Sequence, residues 1–387
     1  MKLTVVWLVL AASLLAPAAS VAQAPQPSPA EPAVVETSRR PPTIAAAAGI
    51  LVDASDGSIL WEKNSRERRA IASTTKIMTA LVALENAELD EMVTASARAE
   101  AVGATDSLVT ELELVQGEQL SVEHLLYGLL LPSGSDAAVA LAEHVGGSVE
   151  GFAKMMNERA RRAGAVDTNF TNADGLDDPG AYSTARDLAR ITRAAMAHAG
   201  FREMVATPRF QIPRASGSPR NVVNRNELLG RLEGATGVKT GNTRNAGRSL
   251  VASANRDGEE RISVILGSPD PFGESSAVIN FGFSAFRRFV VVGEDKSWGQ
   301  VTYGDGTTVR LVAPRQVSVL LGDTTPAPRM RYRPEQSELV VEVPGGLVIP
   351  LEQTCPGSEA PCERPKRRWS PVAALISVFA PLLTALK

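Results

Sequence analysis

The chain is poor in the side chains that most often build metal sites and disulfide frameworks. It holds two cysteines, Cys355 and Cys362, and three histidines, His124, His144 and His198, in 387 residues. That is too few for a cysteine-based metal site or a disulfide-stapled scaffold. The histidines fall in helix-like stretches without metal-ligand spacing, and none has an obvious nucleophile partner, which argues against a Ser-His-Asp enzyme. No metal and no cofactor is expected. A strong charge of one sign is also lacking: the formal net charge is −3, so nothing in the balance points to a nucleic-acid partner.

Long apolar runs are confined to the two ends. Lys2, the run Leu3 to Leu15 and the small residues Val21-Ala22-Gln23-Ala24 read as an export signal over residues 1–24. A linker rich in Pro, Ala and Glu follows over 25–42. At the other end Cys355 and Cys362 flank a short Pro/Gly segment, a candidate local disulfide in an exported chain. Residues 353–368 read as a second linker. Lys366-Arg367-Arg368-Trp369 then leads into the apolar run Pro371 to Leu386, so 369–387 reads as a tail that associates with an anionic membrane surface. The expected location is the outer face of a bacterial cytoplasmic membrane or the cell envelope.

Between the ends the periodicity changes twice. Ala48 to Asp53 and Ser58 to Trp61 read as a hairpin around Ser55-Asp56-Gly57. Helical patterns follow: one around Ile77, Met78, Leu81 and Val82, one capped by Ser121, one over Ala137 to His144, one opened by Ser148, and one opened by Thr184-Ala185-Arg186-Asp187. From Gly237 strands return, with Asn255-Arg256-Asp257-Gly258 as a hairpin turn. The pattern predicts an α+β fold over 43–285, an antiparallel sheet with a long helical insertion. Short alternating runs over 286–352 predict a small all-β domain without catalytic side chains.

Three short motifs carry the chemistry. Ser73-x-x-Lys76 places a hydroxyl and an amine three residues apart at an expected helix start, where they share a face. A desolvated lysine loses part of its preference for charge and can take a proton from serine. Unpaired backbone N–H groups at such a start can hold an oxyanion. Ser133-Gly134-Ser135 lies on a loop between two helices, where Ser133 can pass a proton to a leaving group. Lys239-Thr240-Gly241 lies on a strand. Lys239 and Thr240 can bind a peptide carboxylate there, and Gly241 lets a substrate backbone come close. Together the three form a recurrent acyl-transfer set.

With these motifs the chain resembles the D-alanyl-D-alanine carboxypeptidases, the low-molecular-mass penicillin-binding proteins. The likeness runs from about residue 45 to 350 and takes in Ile71 to Thr79, Leu129 to Ala138, Phe170-Thr171-Asn172 with Gly175-Leu176, Thr184 to Ala189 and Gly237 to Gly241. The resemblance implies a β-lactamase/DD-peptidase-like fold and an acyl-enzyme on Ser73 formed with Lys76. It also implies a peptidoglycan stem peptide as substrate and β-lactams as inhibitors. Ser135, Lys239, Thr240, Gly241 and Asn242 would bind substrate, and the N–H groups of Ser73 and Asn242 would form the oxyanion hole. Three positions depart from the family: Ser135 stands for its usual Asn, Asn242 for a frequent His, and Gly267 to Glu274 holds no arginine. A β-lactamase and a penicillin-binding scaffold with little turnover are the alternative readings.

Overall fold

The computed structural model describes residues 39–354, apart from 103–109, 215–216, 293–296, 303–305, 307, 313–316, 324–328, 334–337, 343–346 and 351. The expected signal, the tail and the candidate Cys355–Cys362 pair lie outside the described residues. Among the described residues, no helix is long and apolar enough to cross a membrane.

In chain order the elements are β1 (Ala48–Asp53), β2 (Ile59–Lys63), a 3-10 turn (Ala72–Thr75), α1 (Lys76–Asn86), β3 (Met92–Thr94), α2 (Ala97–Ala101), β4 (Gln119–Ser121) and α3 (Val122–Leu130). Then come α4 (Ser135–Gly146), α5 (Val149–Arg162), α6 (Ala185–Met196), α7 (Ala199–Ala206), β5 (Arg209–Ile212) and β6 (Arg220–Val223). The chain returns through β7 (Ala235–Thr243), β8 (Gly247–Arg256), β9 (Glu259–Leu266) and α8 (Pro271–Ala285). The central sheet has five strands in the order β2-β1-β9-β8-β7, all antiparallel, so the early hairpin pairs with the late strands across the helical insertion. β7 is an edge strand.

The period of two along the strands explains why the sheet is covered on both faces. Ile50, Val52, Val251 and Val264 pack into the core of the helical lobe, with Ile77, Met78, Leu81 and Leu125. Their neighbours Leu51, Leu250, Ala252 and Ile265 face the other way, onto Val278, Ile279 and Phe281 of α8. α1 is buried all round from Lys76 to Ala83, as its apolar residues on more than one side require. The cap signals hold at atomic level: Ser121, Ser148 and Thr184 each accept a backbone N–H of the first turn, from His124, Gly151 and Asp187.

The fold departs from the sequence reading in instructive places. α4 starts at Ser135, earlier than expected, because the motif loop tightens straight into the helix. α7, the β5–β6 hairpin and α8 were not expected. Yet α8 carries a readable start, with Asp270 accepting the N–H of Gly273 and Pro271 in the first turn.

α8 ends at Ala285 and β10 (Phe286–Val292) follows at once. β11 (Ser297–Thr302), β12 (Thr308–Val312), β13 (Val317–Gly322), β14 (Arg329–Arg333), β15 (Glu338–Glu342), β16 (Leu347–Pro350) and β17 (Glu352–Thr354) complete the described chain. They pair as the small antiparallel sheets β10-β13, β11-β12-β17 and β14-β15-β16. The alternating runs of the sequence correspond to β10, β11, β12, β13 and β15; β14, β16 and β17 add to them. The α+β class and the all-β continuation are both present.

Candidate active site

Ser73 sits on the 3-10 turn, not on the helix proper; α1 begins at Lys76. The reason is local. Ala72 adopts φ +48°, a left-handed conformation that an L side chain rarely takes. The turn is then pinned by the N–H and hydroxyl of Thr74, which both donate to the Ile71 carbonyl, at 3.2 and 2.6 Å. Three-residue spacing brings side chains together on a 3-10 turn as well as on an α-helix. Lys76 is fully buried, and its amine donates to Ser73 Oγ at 3.0 Å, to Ser135 Oγ at 3.3 Å and to the Asp174 carbonyl at 2.6 Å.

No carboxylate bonds this amine. Burial pushes its pKa down to about 8; the Asp174 and Asp136 carboxylates oppose that, and the Arg225 guanidinium adds to it. Lys239 on β7 is also buried, and its pKa is pushed well below the ordinary lysine range by burial, then by the charges of Lys76 and Arg225. Its amine donates to the Thr240 carbonyl at 3.0 Å. Among the described residues, that carbonyl is the hydrogen-bond partner of the Lys239 amine.

Ser135, the first residue of α4, meets Lys76; Ser133 does not, and its hydroxyl bonds to no described residue. Ser133 has φ +77° and lines the groove with Ser73 and Ser135. Asp136 fixes this corner. Its buried carboxylate accepts the N–H groups of Leu112, Leu114 and Ala137, and burial raises its pKa. Ser135 N–H donates to the Thr110 carbonyl at 2.7 Å, so the segment 110–114 is clamped beside the motif.

The groove has a volume of about 1540 Å³, and its walls include Ser73, Ser133, Ser135, Thr240, Gly241 and Asn242. β7 approaches the nucleophile turn closely. A Cβ at Gly241 would stand 3.2 Å from Ala72 Cβ, the Ile71 carbonyl and Thr74 N, so only glycine fits without a shift. Asn242 follows Gly241 and lines the same groove as Ser73, and β7 is the edge strand on that side of the sheet.

Sequence reasoning missed three contributors. The first is the Asp174 carbonyl, held by a loop in which Asn172 accepts Gly175 N–H at 2.8 Å and Asp177 accepts from Thr243 Oγ1 at 2.7 Å and Asn245 N at 3.1 Å. Gly175 has φ +81°, and a Cβ there would collide with the Ala72 carbonyl. The second is Arg225, exposed in the groove wall, whose charge reaches both lysines. The third is Asp136. Asp136 follows the second motif directly, and Asn172 and Gly175 fall inside a segment that resembles the family, so these had a signal; Arg225 had none. The loop also bears on the β-lactamase reading: the Asp174 carboxylate accepts from Leu176 N, and that of Asp177 from Thr243 and Asn245, so neither is poised as a second base on Ser73.

The family profile described as D-alanyl-D-alanine carboxypeptidase matches residues 35–270, more than half of the chain. The chain belongs to this family. Carboxypeptidase DacA of Haemophilus influenzae is 38% identical over 288 residues, covering 70% of this chain and 71% of that protein. The crystal structure of penicillin binding protein 5 from Haemophilus influenzae is similar at TM-score 0.70 and 30% identity, over 81% of this chain and 98% of that one. The Streptomyces K15 DD-transpeptidase is similar at TM-score 0.61 and 36% identity, over 64% of this chain and 100% of that one. None of these three relatives is a β-lactamase.

Proposed function

We propose that this carboxypeptidase removes the terminal D-alanine from peptidoglycan stem peptides through an acyl-enzyme on Ser73. The observation that carries the reading is the buried Lys76 amine, 3.0 Å from Ser73 Oγ and with no carboxylate bonded to it. With a pKa near 8, a useful fraction of this amine is neutral at neutral pH. Neutral Lys76 takes the Ser73 proton as Ser73 Oγ attacks the carbonyl between the two D-alanines. The oxyanion forms between the N–H groups of Ser73 and Asn242. The Lys76 proton then passes through the serine hydroxyls of the second motif to the leaving amine. Ser135 is already on Lys76, and Ser133 stands on the groove wall. Water completes the cycle by hydrolysing the ester.

The substrate lies along the free edge of β7 as an added strand, with Thr240, Gly241 and Asn242 beside it. A β-lactam follows the same first step and stays on Ser73. We also propose export to the outer face of the cytoplasmic membrane, with residues 369–387 as a membrane-associating tail; the apolar ends of the sequence support that reading. The domain limits 43–285 and 286–352 belong to the same proposal.

The test is release of D-alanine from a peptide ending in D-Ala-D-Ala by the purified chain and its Ser73→Ala variant, with fluorescent penicillin labelling in parallel. Release and labelling that both vanish in the variant are expected. Labelling of the unaltered chain without release would favour the scaffold reading instead.

A further inference from the structure

A terminal carboxylate one residue beyond the bond being cut is best recognised by a cation backed by neutral hydrogen-bond donors. The groove holds several cations, but most are engaged. Arg220 forms a buried pair with Glu118 at 2.7 Å, Arg214 pairs with Glu113, and Arg244 has a partner too. Lys239 is buried with its amine on the Thr240 carbonyl. The segment after β9 offers none: Glu274 stands there, its carboxylate occupied by the N–H groups of Ala45 and Ala46 and by the Ser268 hydroxyl. Arg225 lies near the two buried lysines, where its charge is felt by both.

Arg248 on β8 is different. It is directly opposite Asn242 in the β7–β8 register, so the two side chains share a face of the sheet, and Thr240 is on that face two residues along β7. It is exposed and lines the groove beside Phe272. One guanidinium nitrogen donates to the Pro269 carbonyl at 2.7 Å, which steadies the head, and no carboxylate of the described residues pairs with it. A guanidinium has five N–H donors, so the remaining ones can form a fork on an anion. Thr240 and Asn242 make no side-chain hydrogen bond to a described residue, which leaves a hydroxyl and an amide turned to the same place.

Gly241 is the residue packed against the Ser73 turn, and Asn242 comes next. Arg248 is therefore level with the residue that follows the one packed on the Ser73 turn, across the β7–β8 pair. We infer that Arg248, with Thr240 and Asn242, binds the terminal carboxylate of the substrate and makes the enzyme specific for a free C-terminus. The inference rests on the carboxypeptidase reading of the groove.

The test compares a peptide ending in D-Ala-D-Ala with the same peptide as its C-terminal amide. Each is assayed with the full chain and with Arg248→Ala, Arg248→Lys and Arg225→Ala. The unaltered enzyme is expected to favour the acid by a factor on the order of 100 or more in kcat/KM. Arg248→Ala should lower kcat/KM for the acid about 10- to 100-fold, mainly through KM, and change that for the amide less than about twofold; Arg248→Lys should recover part of the loss. In Arg225→Ala the preference for the acid should survive. Equal losses on both substrates in Arg248→Ala would mean a structural role and overturn the inference. So would an unchanged preference in Arg248→Ala, collapse of the preference in Arg225→Ala alone, or no preference in the unaltered enzyme. Release from neither substrate by the unaltered enzyme would instead sink the carboxypeptidase reading, and the inference with it.

Discussion

Two clusters of buried charge in this molecule are built on opposite terms. Around Asp53, every charge has a partner. The Asp53 carboxylate, 1% exposed, takes the guanidiniums of Arg261 and Arg288, and Arg261, 0% exposed, also pairs with Glu259. Burial pushes the Asp53 carboxyl up, but the Ser55 hydroxyl and the two arginines outweigh it and hold the pKa below the usual range. Around Lys76, burial is as complete and no carboxylate is bonded to the amine. There the displacement goes to the neutral form, down to about 8, and Lys239 beside it moves the same way. A paired cluster ties β1, β9 and β10 together; an unpaired one stores reactivity. The difference between them, not burial itself, marks the site.

The comparison is broken most severely at Ser73. Ser73→Ala should reduce D-alanine release by a factor on the order of 10⁴ or more, while changing thermal stability by only about 1 to 2 kcal/mol, because Lys76 loses one of three hydrogen-bond partners and no ion pair is broken. Activity assay and calorimetry on the same preparation check both halves.

Lys76→Met tests the unpaired cluster from the other side. Release should fall about 10²- to 10⁴-fold, without the large loss of stability that breaking an ion pair causes. Its pH behaviour is as telling. The folded pKa of Lys76, about 8, lies below the ordinary lysine value of 10.5. Between these limits the unfolded chain binds a proton that the folded chain does not, so stability rises with pH across that window. The unaltered protein should therefore gain stability relative to Lys76→Met as pH is raised from about 8 toward 10.5 in denaturant titrations.

Asp53→Asn should do the reverse. Removing one member of the paired cluster leaves buried arginine charge uncompensated, at a cost of about 3 to 5 kcal/mol. Activity per folded molecule should stay within about twofold. Denaturant unfolding followed by a titrated active-site assay separates the two effects.

Smallest is the loop that carries the Asp174 carbonyl. Asp177→Ala removes the acceptor for Thr243 Oγ1 and Asn245 N. About 1 to 2 kcal/mol of tethering is lost, seen as a kcat about 5- to 30-fold lower with penicillin labelling retained.

How much of this was legible follows from distance along the chain. Ser73 and Lys76 are three residues apart, so spacing alone predicts their contact, whether the turn is α or 3-10. Cap residues such as Ser121, Ser148 and Thr184 are equally local. The hairpin at residues 255–258 and the alternating core faces follow from turn chemistry and period. By contrast, the bond from Lys76 to the Asp174 carbonyl spans 98 residues and uses a backbone oxygen, which carries no residue signature. Arg225 and Arg248 look like ordinary surface arginines until the fold sets them in the groove. The contact of Ser135 with Lys76 was hidden for a related reason. Where α4 begins decides which hydroxyl points at Lys76, and a helix start within a Ser-Gly-Ser segment is ambiguous by composition. α8 was missed although Asp270-Pro271 announces it.

The most direct test of the central claim is the pH dependence of Ser73 acylation. The second-order rate of labelling by a fluorescent penicillin, which reports the free enzyme, should rise with pH, with an apparent pKa near 8, and then level off. A rate that stays flat from about pH 6 through the lysine range would mean that neutral Lys76 is not the base, and would contradict the account.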